Sequence, residues 1–342
     1  MQVPDIVKSA VYTTAHVSGL SRVLALRYRG RGIIFALHSI VDDDAFHPDH
    51  TLRCPVGKLK WILRRLRQQE LDFVTLDEAV ERLNASSARP FVAFTFDDGF
   101  ADNLTKALPV MEKFAAPFAV YVPTGMIARD IDAWWFGVAA LIRLRDRIEL
   151  PALGHFQCAD RASKQRTYSA IETAIHKNFD LLPAVRETLD AAGIEIPALV
   201  DQEALTEKQL RALSQHPLVT IGGHTTTHPN LARSSAATAR LEMAENRAFL
   251  QELTGKPVAH NAYPFGHAGA CGDREAEISR SLGFRTAVTT RPGTIFPEHR
   301  NHLHALPRVS LTRGENAPTL HCKLNGLSRA INSRFGDPVA RM

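Results

Sequence analysis

The stretch Phe91-Val-Ala-Phe-Thr95-Phe96-Asp97-Asp98-Gly99-Phe100 decides the reading of this chain. Residues 91–96 are apolar or β-branched, carry no charge and contain no glycine or proline, which is the pattern of a short strand buried on both faces. The run ends in two adjacent carboxylates and a glycine. Inside a strand, neighbours point to opposite faces. At a strand end, where Gly99 lets the chain turn, both carboxylates can reach one site. Two carboxylates so close need a cation or a shared proton to relieve them. The plainer alternative is that Asp98 or Asp102 caps the helix that follows.

Working outward, similar apolar runs recur at 33–37, 118–122, 219–221, 258–263, 285–289 and 306–311, with a shorter one at 73–76. Helical patterns lie between them at 57–69, 76–83, 103–114, 206–215, 235–253 and 273–282. Alternating strands and helices imply βαβ units and a mostly parallel sheet, so the fold class is α/β. Seven or eight repeats predict a closed or nearly closed barrel, with its reacting groups at the C-terminal ends of the strands. The barrel spans 32–312. A helical insertion at about 129–204 breaks the rhythm and contains Trp134 and Trp135, which suit either sugar stacking or core packing. An N-terminal helical segment (1–31) precedes the barrel. A C-terminal tail (313–342), rich in small, polar and basic residues, is expected to fray.

Two further segments carry chemistry. Ile221-Gly-Gly-His224-Thr-Thr-Thr-His228-Pro229 follows another β-like run. Histidines four apart bind one metal from a helix face, but the threonines and proline indicate a turn that wraps around the ion instead. By themselves such histidines are as often surface or capping residues. Asn261-Ala-Tyr263-Pro264-Phe265-Gly266 ends a strand in a rigid turn, which can aim a backbone N–H at a developing oxyanion. One aspartate with two histidines leaves open positions on a divalent metal. Such an ion lowers the pKa of water from about 15.7 toward about 7, and the second carboxylate can take the proton.

Together these segments resemble the polysaccharide deacetylase family. Thr95–Gly99 matches its TFDDG motif, His224–His228 its H-(S/T)-x-x-H motif, and Tyr263–Gly266 part of its R-x-P-(Y/F)-G motif. The resemblance implies a distorted (β/α)7-8 barrel and zinc, with Co2+, Ni2+ or Mn2+ as alternatives, on Asp98, His224 and His228. It implies Asp97 as the catalytic base and places the Phe265 amide at the acetyl carbonyl. Two departures stand out. The arginine of the third motif is missing. The strand that should carry the histidine acid reads Leu306-Pro-Arg308-Val-Ser-Leu311. That leaves His304 or His302 as the acid, or a charge-stabilising, substrate-facing Arg308. Such variants are similar to the branch of exopolysaccharide and poly-N-acetylglucosamine deacetylases, in which a histidine ends the first strand; His38 matches it as a substrate contact or a buried structural residue.

The expected function is metal-dependent removal of N-acetyl groups from amino sugars of a polysaccharide, an oligosaccharide or a lipid-linked precursor. The rivals are hydrolysis of another C–N bond, such as a cyclic ureide, and a catalytically weak glycan-binding module. The net charge of +5 is mild, and basic residues do not interleave with aromatics, so no nucleic-acid partner is expected. Scattered Cys54, Cys158, Cys271 and Cys322 fit a reducing compartment. The start lacks a signal-peptide pattern, so a cytoplasmic location is expected. Residues 5–28 read as one helix that turns basic through Arg22, Arg27, Arg29 and Arg31. It either packs on the barrel or lies on a membrane surface.

Overall fold

The computed structural model describes residues 5–85, 89–151 and 153–342. Seven strands form its centre: β1 (Gly32–Leu37), β2 (Phe91–Phe96), β3 (Phe118–Val122), β4 (Val219–Gly223), β5 (His260–Ala262), β6 (Thr286–Val288) and β7 (Val309–Ser310). Neighbours pair in the order β6-β5-β4-β3-β2-β1-β7, and every pair is parallel. A parallel bridge between Val288 and Leu306 joins β6 to the residues entering β7. The curled sheet therefore meets itself at a seam, giving the expected (β/α) barrel. The short strand Asp72–Phe73 adds to the start of β2.

Alternation along the strands builds two layers. Ile33, Phe35 and Leu37 of β1 and Val92, Phe94 and Phe96 of β2 pack outward against Leu59, Ile62, Leu63 and Leu66 of the helix Val56–Arg67. Ile34, Ala93, Ala119, Tyr121, Ala262 and Val288 form a second cluster, on the inner side. Small residues recur there because a barrel of so few strands leaves little room at its axis. Thr95 and Asp97 share the inner side with Ala93, which is how the Asp97 carboxylate comes to point toward the barrel mouth.

The insertion has its own core, built from Trp134, Val138, Leu141, Ile148, Tyr168, Ile171, Val185 and Leu189. It comprises the helices Trp134–Leu144, Arg161–Lys177, Leu182–Ala191 and Ile196–Glu203. It also holds an antiparallel hairpin, Arg147–Leu150 with Gly154–Gln157, which the sequence reading took as helical. A tight turn with Gly154 at φ 96° makes the hairpin.

Both ends differ from expectation. The N-terminal segment is two helices, Asp5–Val17 and Leu20–Tyr28, broken where Gly19 adopts φ 76°. The tail is not frayed. It folds into helices Ala317–Leu324 and Leu327–Asn332, with Leu320, Cys322, Leu327 and Ala330 buried. Asn316 and Thr319 cap the first of these reciprocally, and the Tyr12 hydroxyl meets Ser328 Oγ at 3.0 Å. The apolar spacing Leu320, Leu324, Leu327 is what the small and polar neighbours hid. Gly326 sits against the Tyr28 carbonyl, where no side chain would fit.

Candidate active site and metal centre

Asp97 and Asp98 reach one site by a specific backbone path. Asp97 follows the pleat of β2, its N–H donating to the Leu37 carbonyl at 2.9 Å. Asp98 would face away, but it takes φ 73°, and Gly99 follows at φ 65°. The turn expected at Gly99 thus begins one residue earlier, in the left-handed region that an aspartate tolerates better than most residues. His228 (φ 57°) and Phe265 (φ 60°) share this rare conformation, as does Thr225 (φ 64°). Non-glycine residues held this way cost about 1–3 kcal/mol each and gather where geometry matters.

Asp98, His224 and His228 converge, with one ligand atom from each lying within 4.8 Å of the others. Each histidine Nε2 lies 3.5 Å from Asp98 Oδ1. His224 Nδ1 donates to the Ala262 carbonyl at 2.7 Å, which leaves Nε2 free to ligate. Burial favours the neutral carboxyl, but hydrogen bonding to His224 and the charge of His228 leave Asp98 well below the usual carboxylate range. Burial lowers His228 to about 4, so its ring is neutral. His224 moves upward because the Asp98 interaction outweighs burial. An ionised carboxylate and a neutral imidazole are ready donors, and the His224–Asp98 pair holds charge that a cation would satisfy. This set fits a divalent metal of the zinc type.

Arg308 supplies what the third motif lacks. Its Nη1 donates to Asp97 Oδ1 at 2.6 Å and to Thr95 Oγ1 at 2.9 Å, its Nη2 to Asp97 Oδ2 at 2.7 Å, and its Nε to the Thr289 carbonyl at 3.0 Å. The guanidinium is fully buried and lies over the Tyr121 ring. Burial would raise the Asp97 pKa, but the charge and hydrogen bonds of Arg308 lower it. The substrate-facing role expected for Arg308 is therefore corrected: with its donors committed to Asp97, Thr95 and Thr289, it holds the Asp97 carboxylate.

His304 is not brought to the site. It is buried against the helix Asp273–Ser281, with Nδ1 3.2 Å from Ser279 Oγ. Its ring faces that helix because residues 303–305 form a short 3-10 turn before the closing strand. His38, by contrast, does reach the site. Its Nε2 lies 3.8 Å from Asp97 Oδ2, and its side chain is 18% exposed. Asn103 Nδ2 holds the His38 carbonyl at 2.8 Å from a single π-helical turn, Asn103–Ala107. Such turns often mark functional sites. Phe265 lies beside the cluster: its ring is 4.9 Å from that of His228, and its carbonyl accepts from Thr290 Oγ1 at 2.7 Å.

Further residues pack at the site; of those that follow, Trp135 alone was singled out in the sequence. Trp135 packs on His228 at 5.3 Å, whereas Trp134 is buried in the insertion core. His176 and Phe179, also from the insertion, pack on Phe265. Asn246 is fully buried. Its Oδ1 accepts from the His224 N–H at 3.0 Å, and its Nδ2 donates to the Val122 and Thr225 carbonyls. A signal existed for it: Asn246 falls on the stripe Ala239, Met243, Leu250, where an apolar residue belongs.

Residues 84–287 match the polysaccharide deacetylase profile. The chain belongs to the polysaccharide deacetylase family, and its class is that of carbohydrate deacetylases. It is similar in fold to a deacetylase, PplD, from Streptococcus pyogenes, solved with acetate (18% identity, 84% of this chain and 95% of that one, TM-score 0.55). It is also similar to IcaB from Ammonifex degensii (17%, 88% and 98%, 0.54) and to a de-N-acetylase from Aggregatibacter actinomycetemcomitans (13%, 85% and 99%, 0.56). No curated protein sequence matches the chain.

Proposed function

We propose that the chain is a metal-dependent N-deacetylase acting on acetylated amino sugars of a polysaccharide, an oligosaccharide or a lipid-linked precursor. The observation that carries this reading is the Asp98–His224–His228 cluster beside a carboxylate, Asp97, that Arg308 keeps ionised. Zinc held by the three ligands, or Co2+, Ni2+ or Mn2+ in its place, would polarise the acetyl carbonyl and acidify the attacking water. Asp97 takes the proton from that water. The Phe265 N–H, in its left-handed turn, faces the oxygen on which charge develops. His38 takes the place expected of His304 and protonates the leaving amine, because it lies beside Asp97.

The test is acetate release from N-acetylglucosamine oligomers by zinc-loaded protein. We expect release that a chelator abolishes and zinc restores. His38→Asn should lower the rate about 10²–10⁴-fold, as loss of a general acid does. A metal-loaded protein that frees no acetate from any N-acetylated glycan would sink the proposal and favour the glycan-binding rival. A C–N hydrolase of another kind would release its amine without acetate.

A second proposal concerns location. Among the described residues, seven of the nine large hydrophobic side chains that stand exposed lie on the terminal helices or just after them: Val11, Val17, Leu20, Val23, Leu26, Ile331 and Phe335. Residues 1–31 and 313–342 hold ten of the 41 basic and three of the 36 acidic residues, so they carry +7 while the rest carries −2. No described helix is long and apolar enough to cross a membrane. An apolar face rimmed by positive charge suits an anionic lipid surface, where each basic residue contributes about 1 kcal/mol. The four buried, unpaired thiols favour the cytoplasmic side. In flotation assays the protein should travel with vesicles containing phosphatidylserine and not with neutral ones, and Leu26→Glu with Val23→Glu should abolish this. Equal behaviour with both vesicle types at low salt would refute it.

A further inference from the structure

Beyond the reacting groups, the insertion helix Arg161–Lys177 turns a polar stripe, Tyr168, Glu172 and His176, toward the mouth of the barrel. These residues are four apart and so share one helix face. One end of the stripe is fixed by His176, which packs on Phe265 beside the metal cluster. At the other end, the Tyr168 hydroxyl feels the charges of Asp49, Glu172, Arg53 and Asp98. The loop that carries Asp49 is tied to the same helix where Arg161 stacks on Phe46 at 5.3 Å. Glu172 stands between the two ends and feels the charge of Asp49.

The charges here are out of balance. Arg53 is the cation of the cluster, and its Nη1 is committed to Glu203 at 2.8 Å, with Ser39 Oγ at 3.2 Å. Asp49 and, more weakly, Asp102 draw on the same guanidinium. Asp49 satisfies one oxygen through Thr51 and the Leu52 N–H. Glu172 accepts no hydrogen bond from a described residue, and burial beside Asp49 pushes it up to about 8. The Tyr168 hydroxyl is completely buried without a partner, as are Nε and Nη2 of Arg53. Unsatisfied buried groups of this kind are costly unless something fills the space between them. Among the described residues, the one group of three or more His, Cys, Asp or Glu side chains that converges on a common point is Asp98–His224–His228. Two carboxyl groups that burial holds toward their protonated forms, beside an idle hydroxyl, suit a group that brings positive charge and several hydrogen-bond donors.

We propose that Glu172, Asp49 and Tyr168 form a subsite for the free ammonium and neighbouring hydroxyl of a hexosamine adjacent to the one being deacetylated. This rests on the deacetylase reading above and gives it a direction: the preferred substrate is a chain in which an N-acetylated sugar neighbours one already bearing an amine. Deacetylation then creates the recognition group for the next event.

Binding, not turnover, tests it, because a fully de-N-acetylated oligomer has no acetyl group to lose. Glucosamine oligomers with β-1,4 and with β-1,6 linkages are titrated calorimetrically into zinc-loaded wild-type protein and into Glu172→Gln and Glu172→Asp. We expect wild type to bind one linkage, more weakly at high salt, and Glu172→Gln to bind it about tenfold more weakly, as loss of a charged hydrogen bond predicts. Glu172→Asp should recover part of the loss. Unchanged zinc affinity and melting temperature show that the variants are folded. Equal binding by wild type and Glu172→Gln, or no amine-dependent binding with either linkage, overturns the subsite. Glu172-dependent binding without acetate release from any substrate overturns the deacetylase reading and leaves the amine subsite standing.

Discussion

Asp97→Asn should retain zinc and lose about 10²–10⁴-fold in kcat/KM, the usual contribution of a positioned general base. Metal retention is expected because the ligand set, Asp98, His224 and His228, does not include Asp97. The amide keeps one acceptor for Arg308 but no charge, so some stability is lost as well. His224→Ala should instead lose metal and activity together. Stoichiometric zinc by elemental analysis, set beside acetate release, separates these outcomes. A zinc-loaded Asp97→Asn protein with full deacetylase activity would remove Asp97 from the mechanism.

The second large effect is at Arg308. Arg308→Met leaves a buried carboxylate without its partner, and breaking such a pair costs about 3–5 kcal/mol. The sign of the pH effect follows from the direction of the shift. Arg308 lowers the Asp97 pKa in the folded protein, so the stability it confers is present above the pKa of an unfolded aspartate and fades as pH falls through the lower, folded value. Without Arg308, the largest influence opposing burial is gone and the Asp97 pKa rises. The acidic limb of the kcat/KM profile should therefore move to higher pH, and the stability gap between wild type and variant should close in acid. Arg308→Lys restores the charge but not the two-pronged contact, so it should recover only part of either property. Denaturant unfolding across pH measures the stability arm. An acidic limb unmoved in Arg308→Met would mean that Asp97 is poised by something else. The double variant Asp97→Asn with Arg308→Met should cost less than the sum of the singles, because the two side chains meet in a bidentate contact.

How much of this was legible depended on whether the physics was local. The runs 91–96 and 118–122 fix their own strands because each is apolar throughout and bounded by chain-breaking residues, and both boundaries match the structure. The run 258–263 was too long: pairing with both neighbours holds only His260–Ala262. The cluster Asp98, His224 and His228 was readable because aspartates and histidines at strand ends have few structural uses. The proposed proton donor was not, since a histidine near a strand end looks the same whether it faces the mouth, like His38, or a helix, like His304. Arg308 was noticed, but its partner lies 211 positions away in sequence, and only the barrel seam brings them together. The same holds for Asp49 and Glu172: a loop and an insertion helix share no sequence pattern. The tail misled because four apolar residues among basic and small ones look like solvent-exposed chain until a docking surface exists.

The seam also sets an order of events. Arg308 lies between Leu306, which bridges to β6, and Val309, which pairs with β1. The Asp98–His224–His228 cluster comes from earlier strands. A chain that ends before the seventh strand would therefore hold that cluster without the guanidinium that lowers the Asp97 pKa. Closing the cylinder and poising Asp97 would then fall in one step, so on the proposed mechanism a half-made molecule could take up an ion without being able to cut.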